Sequence, residues 1–263
     1  MILKLSVVNK LGETLLCGQG QNEVILMYQP QYQDGNSIVL ECSEPQKFIF
    51  LQLDDAMSPS LIYLKDTDFS YPVPFGEKKL CYSQRSFSGE RHVLTVREAY
   101  PNESAAYRNL AFNPWDYHEN ISLYPHAVAN VETRGESVFA ARNAIDGLKA
   151  NTSHGEWPYT SWGINCNPNA QWKLDFGRKV VLNKAVFYLR ADFPHDAWWE
   201  NATLHFSNGS NLTVELVKTG KPQVFDFDEK AVEWVTLDTL IKADDPSVFP
   251  ALTQLELYGS EFR

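Results

Sequence analysis

One short segment concentrates the side chains of this sequence that could bind a ligand. Between two stretches that read as β-strands, residues Leu189–Trp199 carry an arginine, two aspartates, a histidine and two adjacent tryptophans. Loops between strands lie on the surface, so the large aromatic and charged side chains of this loop are not needed to fill the hydrophobic core. Flat rings stack on the apolar face of a pyranose, while Arg, Asp and His form hydrogen bonds with its vicinal hydroxyls. The segment therefore predicts a recognition surface suited to a sugar.

The tryptophan pair leaves one alternative open. Successive side chains of a strand point to opposite faces, so Trp198 and Trp199 are expected to point in opposite directions. One of the two rings can then belong to the core and have a purely structural role.

Composition excludes several classes of function. The 263 residues carry a formal net charge of −10, and the acidic residues are spread along the chain, so we predict no nucleic-acid partner. No segment has the roughly 18 uninterrupted apolar residues that a membrane span needs, so we predict no membrane insertion. The four cysteines are widely separated and predict neither a zinc site nor a disulfide framework. No signal peptide is visible at the N-terminus, which favours a cytoplasmic protein.

Short apolar runs separated by turn residues extend along the whole chain. β-Branched and aromatic residues are frequent, and Gly, Pro, Asn and Asp recur at short intervals, which is typical of all-β proteins. We predict two β-sandwich, jelly-roll-like domains. The composition of the chain changes around residues 101–125, where we place the domain junction. The predicted domains are residues 1–115 and residues 116–263. No ligand chemistry is recognisable in the first domain.

Five motifs of the second half occur in an order that resembles a known family. They are Ala144–Gly147 (AIDG), Ser161–Gly163 (SWG), Trp172–Gly177 (WKLDFG), Phe206–Ser210 (FSNGS) and Leu255–Gly259 (LELYG). Together they resemble the discoidin, or coagulation factor V/VIII type C, domain over about residues 120–263. The resemblance implies a galactose-binding-domain-like β-sandwich, and bacterial members of the family are mostly carbohydrate-binding modules.

The resemblance also implies a bound ion. Modules of this kind often hold a structural calcium where the Asp-Gly turn meets a C-terminal glutamate, and oxygen ligands from a loop suit this hard cation. Carried over to this chain, the Ca²⁺ ligands are Asp146, Asn151 or Thr152, and Glu256. Leu148 departs from the family pattern, because an acidic or amide residue commonly follows the glycine. The alternative is that Asp146 only braces its own turn.

In family members, ligands are held by loops at one end of the sandwich. The insertion His154–Tyr159 (HGEWPY) is longer and more aromatic than the fold requires, and with Leu189–Trp199 it supplies two such loops. The expected ligand-binding residues are the aromatic, charged and imidazole side chains of these loops, namely His154, Trp157, Arg190, Asp192, His195, Asp196 and Trp198. Two further rings, Trp162 and Trp172, are expected in the core. Alternatively, Arg190 pairs only with Asp192, and His195 only braces its loop.

Three classes of function remain open. The first, which we favour, is a non-catalytic protein that binds a carbohydrate or glycoconjugate. The second is a carbohydrate-active hydrolase with Glu156 or Asp192 as acid/base, although nothing in the sequence pairs two carboxylates and no motif for nucleophilic, zinc or nucleotide chemistry occurs. The third is an assembly module, including a homo-oligomer, because Trp, Tyr and Arg also anchor protein interfaces.

Overall fold

The computed structural model of the chain describes residues 1–151 and 154–262. These residues form antiparallel β-sheets joined by loops and short 3-10 turns, with one α-helix, α1, at Pro101–Ala105. The prediction of an all-β protein is therefore confirmed. Within the described ranges, every helical segment is too short or too polar to cross a membrane.

The strands follow one another closely along the chain. The N-terminal strands are β1 (Ile2–Val8), β2 (Thr14–Gln21), β3 (Glu23–Tyr28), β4 (Ser37–Cys42), β5 (Lys47–Gln52), β6 (Ser60–Leu64), β7 (Asp68–Pro72) and β8 (His92–Glu98). The later strands are β9 (Arg108–Asn109), β10 (Leu123–Tyr124), β11 (His126–Ala129), β12 (Trp162–Gly163), β13 (Trp172–Leu189), β14 (Trp199–Phe206), β15 (Asn211–Glu215), β16 (Gln223–Lys242) and β17 (Ala251–Glu261).

Contacts within the chain divide it into two compact units. Unit 1 contains Met1–Ser104 and Asn120–Tyr124, and unit 2 contains Ala105–Glu119 and Pro125–Arg263. The segment between α1 and β11 therefore contributes to both units. The existence of two folding domains with a boundary after residue 115 stays a prediction.

Unit 1 contains two antiparallel sheets, with the strand orders β2-β1-β4-β7 and β10-β6-β5-β8-β3. Burial alternates along the strands because successive side chains point to opposite faces of a sheet. Leu3, Leu5 and Val7 of β1 are fully buried, and so are Leu94 and Val96 of β8. Strand β1 lies against β3 and β8 of the other sheet, so these apolar faces form the core of a β-sandwich.

Unit 2 is built on a large antiparallel sheet with the order β12-β17-β13-β16-β14-β15, to which β11 adds at β13 and β9 at β17. Strands β13 and β16 are 18 and 20 residues long, and shifts of register between them mark bulges, which let a strand bend. The turn Asn208–Gly209 joins β14 to β15 as a hairpin. Gly209 has a φ of 85°, which glycine adopts without strain.

The core of unit 2 contains the expected tryptophans. Trp162 and Trp172 are fully buried, and each donates its indole N–H to a backbone carbonyl oxygen at 3.0 Å. Trp199 is fully buried as well, whereas Trp198 is only half-buried. The sequence predicted that one ring of the pair Trp198 and Trp199 could belong to the core, and that ring is Trp199.

Candidate functional site

The two loops of unit 2 that the sequence singled out border one open cleft of about 430 Å³. His154 comes from the first loop, and Pro194 and His195 come from the second. Further walls come from polar and aromatic residues outside the predicted set, including Arg134, Glu136, Phe139, Asn165, Cys166 and Phe249. The volume lies within the range of about 300–1,000 Å³ that is usual for small-molecule sites.

Two imidazole rings and two phenyl rings lie close together along this cleft, with His195 next to the other three. The ring centroids of His154 and His195 are 5.0 Å apart. On its other sides His195 lies 5.5 Å from the ring of Phe249 and 6.0 Å from the ring of Phe139. The cleft therefore offers apolar ring faces and hydrogen-bonding nitrogens within one small volume.

Arg190 and Asp192 form a buried ion pair behind the cleft. Nε and Nη2 of Arg190 donate to the two carboxylate oxygens of Asp192, with Nη2 at 2.8 Å from Oδ2. The guanidinium carbon lies 5.6 Å from the ring centroid of Phe139 and 5.4 Å from that of Tyr159, both of which line the cleft. Asp192 also lies beside His154, whose Nδ1 is 3.6 Å from Oδ2. The pair thus connects one loop of the cleft to the other.

The expectation that the charged groups of this loop lie at the surface is wrong for two of them. Arg190 is 1% exposed and Asp192 is 6% exposed. Each neutralises the other through two charge-assisted hydrogen bonds, so the pair can be buried at an acceptable cost. Nη1 of Arg190 is buried and has no hydrogen-bond partner among the described residues. The geometry indicates a positioning role for the pair, and a direct contact with a ligand stays a prediction.

His195 is a neutral imidazole at pH 7. Burial, with the positive charge of Arg190 as the second cause, lowers its pKa to about 4. A neutral imidazole offers one N–H donor and one acceptor nitrogen. A sugar hydroxyl also donates and accepts, so the two groups are complementary.

We expect the His195→Gln variant to lose less stability in acid than the wild type. The pKa of His195 falls from 6.5 in the unfolded chain to about 4 in the folded one, so protons bind preferentially to the unfolded chain between these values. The free energy of unfolding must then decrease as the pH falls through this window. Urea denaturation at a series of pH values should give a flatter dependence for the variant. An identical slope in both proteins would contradict the lowered pKa.

Three further predicted binding residues, Trp157, Asp196 and Trp198, are not among the described residues that line the cleft. Trp157 is half-buried. Asp196 lies 3.4 Å from Nζ of Lys218, and this ammonium lies 5.7 Å from the ring centroid of Trp198, which also packs against the core. The structure therefore divides the predicted set into two cleft residues, a buried pair behind them, and three residues outside the cleft.

Asp146, the first residue expected to bind calcium, braces its own turn. Its Oδ1 accepts a hydrogen bond from the backbone N–H of Leu148 at 2.8 Å. Its Oδ2 is buried without a hydrogen-bond partner among the described residues, and burial raises the pKa of this carboxyl to about 7. A buried oxygen without a partner fits a cation, but it fits a protonated carboxyl equally well.

The remaining residues of the expected calcium site are engaged in other contacts. Asn151 directs its amide nitrogen to the carbonyl oxygen of Leu189 at 2.8 Å, and Glu256 forms an ion pair with Lys149. Thr152 lies outside the described residues. Among the described residues of this set, Glu256 is therefore paired with an ammonium group and Asn151 with a backbone carbonyl, so neither is free to bind a cation as placed. A calcium ion at this turn stays a prediction.

Several residues that line the cleft were not indicated by the sequence. Phe139 belongs to a 3-10 turn at Ser137–Phe139, and Phe249 lies in the loop before β17. Phe249 is 41% exposed, and its place in a short segment bounded by Pro246 and Pro250 is the one signal that could have indicated it. Phe139 carried no such signal, since its sequence surroundings are those of an ordinary core residue.

No protein-family model matches the chain, and no curated protein matches it. A chitosan-binding module from a chitosanase/glucanase of Paenibacillus sp. IK-5 is 20% identical with a TM-score of 0.40, and the match covers 57% of this chain and 98% of that one. A fucose binding module of Streptococcus pneumoniae is 13% identical with a TM-score of 0.43, covering 59% and 96%. A family 32 CBM of C. perfringens, in complex with galactose, is 17% identical with a TM-score of 0.39, covering 50% and 91%. By their descriptions these structure neighbours are carbohydrate-binding modules, and each is similar to only part of the chain.

Proposed function

We propose that unit 2 binds a carbohydrate in the cleft that contains His154 and His195. The observation that carries this proposal is the combination of aromatic rings and hydrogen-bonding groups around one open pocket. Pyranose rings present apolar C–H faces that stack on aromatic rings, and hydroxyls that pair with a few well-placed polar groups. A pocket with both kinds of surface matches a sugar better than a purely apolar or a purely charged ligand.

Individual residues suit different parts of such a ligand. The exposed ring of Phe249 is the natural stacking platform, because 41% of the residue is open to solvent. The imidazoles of His154 and His195 supply hydrogen bonds to hydroxyls. Arg190 and Asp192 lie behind these groups, and we infer that they hold His154 and the second loop in place.

We also propose that the cleft binds without hydrolysing its ligand. A glycosidase needs two carboxyl groups across the scissile bond, at about 5–9.5 Å from each other. The described lining of the cleft contains one carboxylate, Glu136, and Arg134 holds both of its oxygens at 2.6 and 2.7 Å. Asp192 is engaged by Arg190 in the same way, and Glu156 is exposed outside this lining. None of these carboxylates is placed as a free acid/base.

We expect Phe249→Ala to weaken carbohydrate binding at least about tenfold, because losing a stacking face removes roughly 1.4 kcal/mol or more of binding free energy. The probes are a glycan panel that includes galactose, fucose, Lewis b and chitosan fragments, followed by calorimetry with the glycan that binds best. The matched control is Phe262→Ala, since this ring is 48% exposed and lies against Lys179.

Two results would overturn the proposal. The first is a wild-type protein that binds nothing on the panel. The second is an equal loss of affinity in the Phe249 and Phe262 variants, because that result would place binding outside the cleft. His154→Ala provides an independent check, and it should also weaken binding since its imidazole reaches the same volume.

A further inference from the structure

A second candidate site lies in unit 1, where the sequence showed no ligand chemistry. Asp54 and Asp55 follow β5, and His92 is the first residue of β8. One carboxylate oxygen from each aspartate and one ring nitrogen of the histidine all lie within 4.8 Å of one another. Asp54 and His92 are each 1% exposed, whereas Asp55 is exposed. The fold thus joins two sequence-distant segments into a cluster with one side open to solvent.

The hydrogen bonds of His92 determine which of its nitrogens is free. Nε2 lies 3.1 Å from the carbonyl oxygen of Gly89, which can only accept, so Nε2 carries a proton. In a neutral imidazole Nδ1 then presents a lone pair. Nδ1 is 3.8 Å from Oδ2 of Asp54, which is longer than a hydrogen bond. Two lone-pair atoms that face each other at this separation leave room for a cation between them.

The surroundings of the cluster resemble those of a metal ligand set. Histidines that bind metals commonly donate their other N–H to a backbone carbonyl, as His92 does here. Asp54 is oriented in turn by backbone amides, because it accepts from the N–H of Ala56 at 2.9 Å and from the N–H of Phe87 at 2.8 Å. Both potential ligands are therefore held in place before any ion arrives.

The hydroxyl of Tyr32 gives an independent indication of a ligand. Tyr32 is 2% exposed, and its hydroxyl oxygen is buried without a hydrogen-bond partner among the described residues. Its ring centroid lies 4.2 Å from that of His92. A polar atom without a partner at this place suits an ion or its bound water.

We propose that Asp54, Asp55 and His92 bind a divalent transition-metal ion, for which zinc is the appropriate probe. An imidazole nitrogen combined with carboxylate oxygens suits zinc, whereas calcium and magnesium prefer oxygen ligands alone. Three protein ligands leave one position for water, which can enter beside the exposed Asp55. The widely spaced cysteines predicted no zinc site, and the donors assigned here include none of them.

The test uses the full chain, freed of metal with a chelator and then titrated with zinc chloride. We expect saturable binding of one ion by calorimetry, and a rise in Tm of about 3–8 °C when zinc is in large excess over its Kd. Asp55→Asn should weaken zinc binding at least about tenfold. Asp55 is exposed, and its Oδ1 accepts only a long hydrogen bond of 3.4 Å from the backbone N–H of Val93, which an asparagine oxygen can also accept. This variant should therefore shift the Tm of the metal-free protein by less than zinc shifts that of the wild type.

The matched control is Asp238→Asn, which removes a carboxylate that lies 2.9 Å from the half-exposed imidazole of His205 in unit 2. Zinc binding by this variant should equal that of the wild type. A Tm that does not respond to zinc would overturn the proposal, and so would equal zinc binding by the wild type and Asp55→Asn. Stronger binding of calcium or magnesium than of zinc would overturn the assigned class of metal.

Discussion

Replacing Arg190 by methionine is expected to lower the free energy of unfolding by about 3–5 kcal/mol, because the carboxylate of Asp192 then stays buried without its partner. Asp192 is 6% exposed, and both of its oxygens accept hydrogen bonds from this guanidinium. Removing both charges together, in Arg190→Met with Asp192→Leu, should cost much less than the single change, since apolar side chains of similar size replace a buried pair at little cost.

Urea denaturation of the wild type, the two single variants and the double variant measures this coupling as a double-mutant cycle. The control is Arg134→Met, which breaks an ion pair with Glu136 at the surface and should change stability by less than about 1 kcal/mol. If Arg190→Met were no more destabilising than this control, the ion pair would not be what holds the loop. A destabilised loop should also displace His154 and weaken sugar binding.

The second large expected effect is a difference in stability between variants of the adjacent residues Trp198 and Trp199. We expect Trp199→Ala to lower the free energy of unfolding by about 3–5 kcal/mol, the usual cost of deleting a large buried ring. Trp199 is fully buried, and its ring centroid lies 6.5 Å from that of Trp162. Trp198→Ala should cost well under half as much, since this ring is half-buried and partly faces Lys218.

A second variant at position 199 tests whether the loss of the buried apolar ring causes this destabilisation. The indole nitrogen of Trp199 is buried without a hydrogen-bond partner among the described residues. Trp199→Phe removes this N–H and keeps most of the apolar ring, so it should be far less destabilising than Trp199→Ala. Thermal and urea denaturation of the three variants provide the measurement. Equal losses for Trp198→Ala and Trp199→Ala would show that burial is not what distinguishes these rings.

The lining of the candidate cleft was predictable in part. Loop chemistry indicated His154 and His195, and the structure places both in one cleft. The same reasoning indicated Trp157 and Trp198 by residue type, but the described lining of the cleft contains neither. Residue type says what a side chain can do, whereas its accessibility depends on the strands that pack around it.

Other parts of the site carried no usable signal. Phe139 and Phe249 are far apart in the sequence, and they meet His195 only because the fold brings a 3-10 turn and a late loop beside it. The same is true of His92 and the pair Asp54–Asp55 in unit 1. Such juxtapositions are long-range, so no local pattern reports them.

By itself the sequence determined the features that depend on local geometry. The short runs of β-branched and aromatic residues between turn residues predicted the all-β fold. An Asn-Gly turn between two apolar runs is typical of a hairpin, and Asn208–Gly209 joins β14 to β15 in this way. Only the tertiary structure decided that Arg190 turns inward onto Asp192, and that Trp199 rather than Trp198 enters the core. The physical reason is that burial and the pairing of charges are properties of packed strands, and a single segment does not contain the partners that decide them.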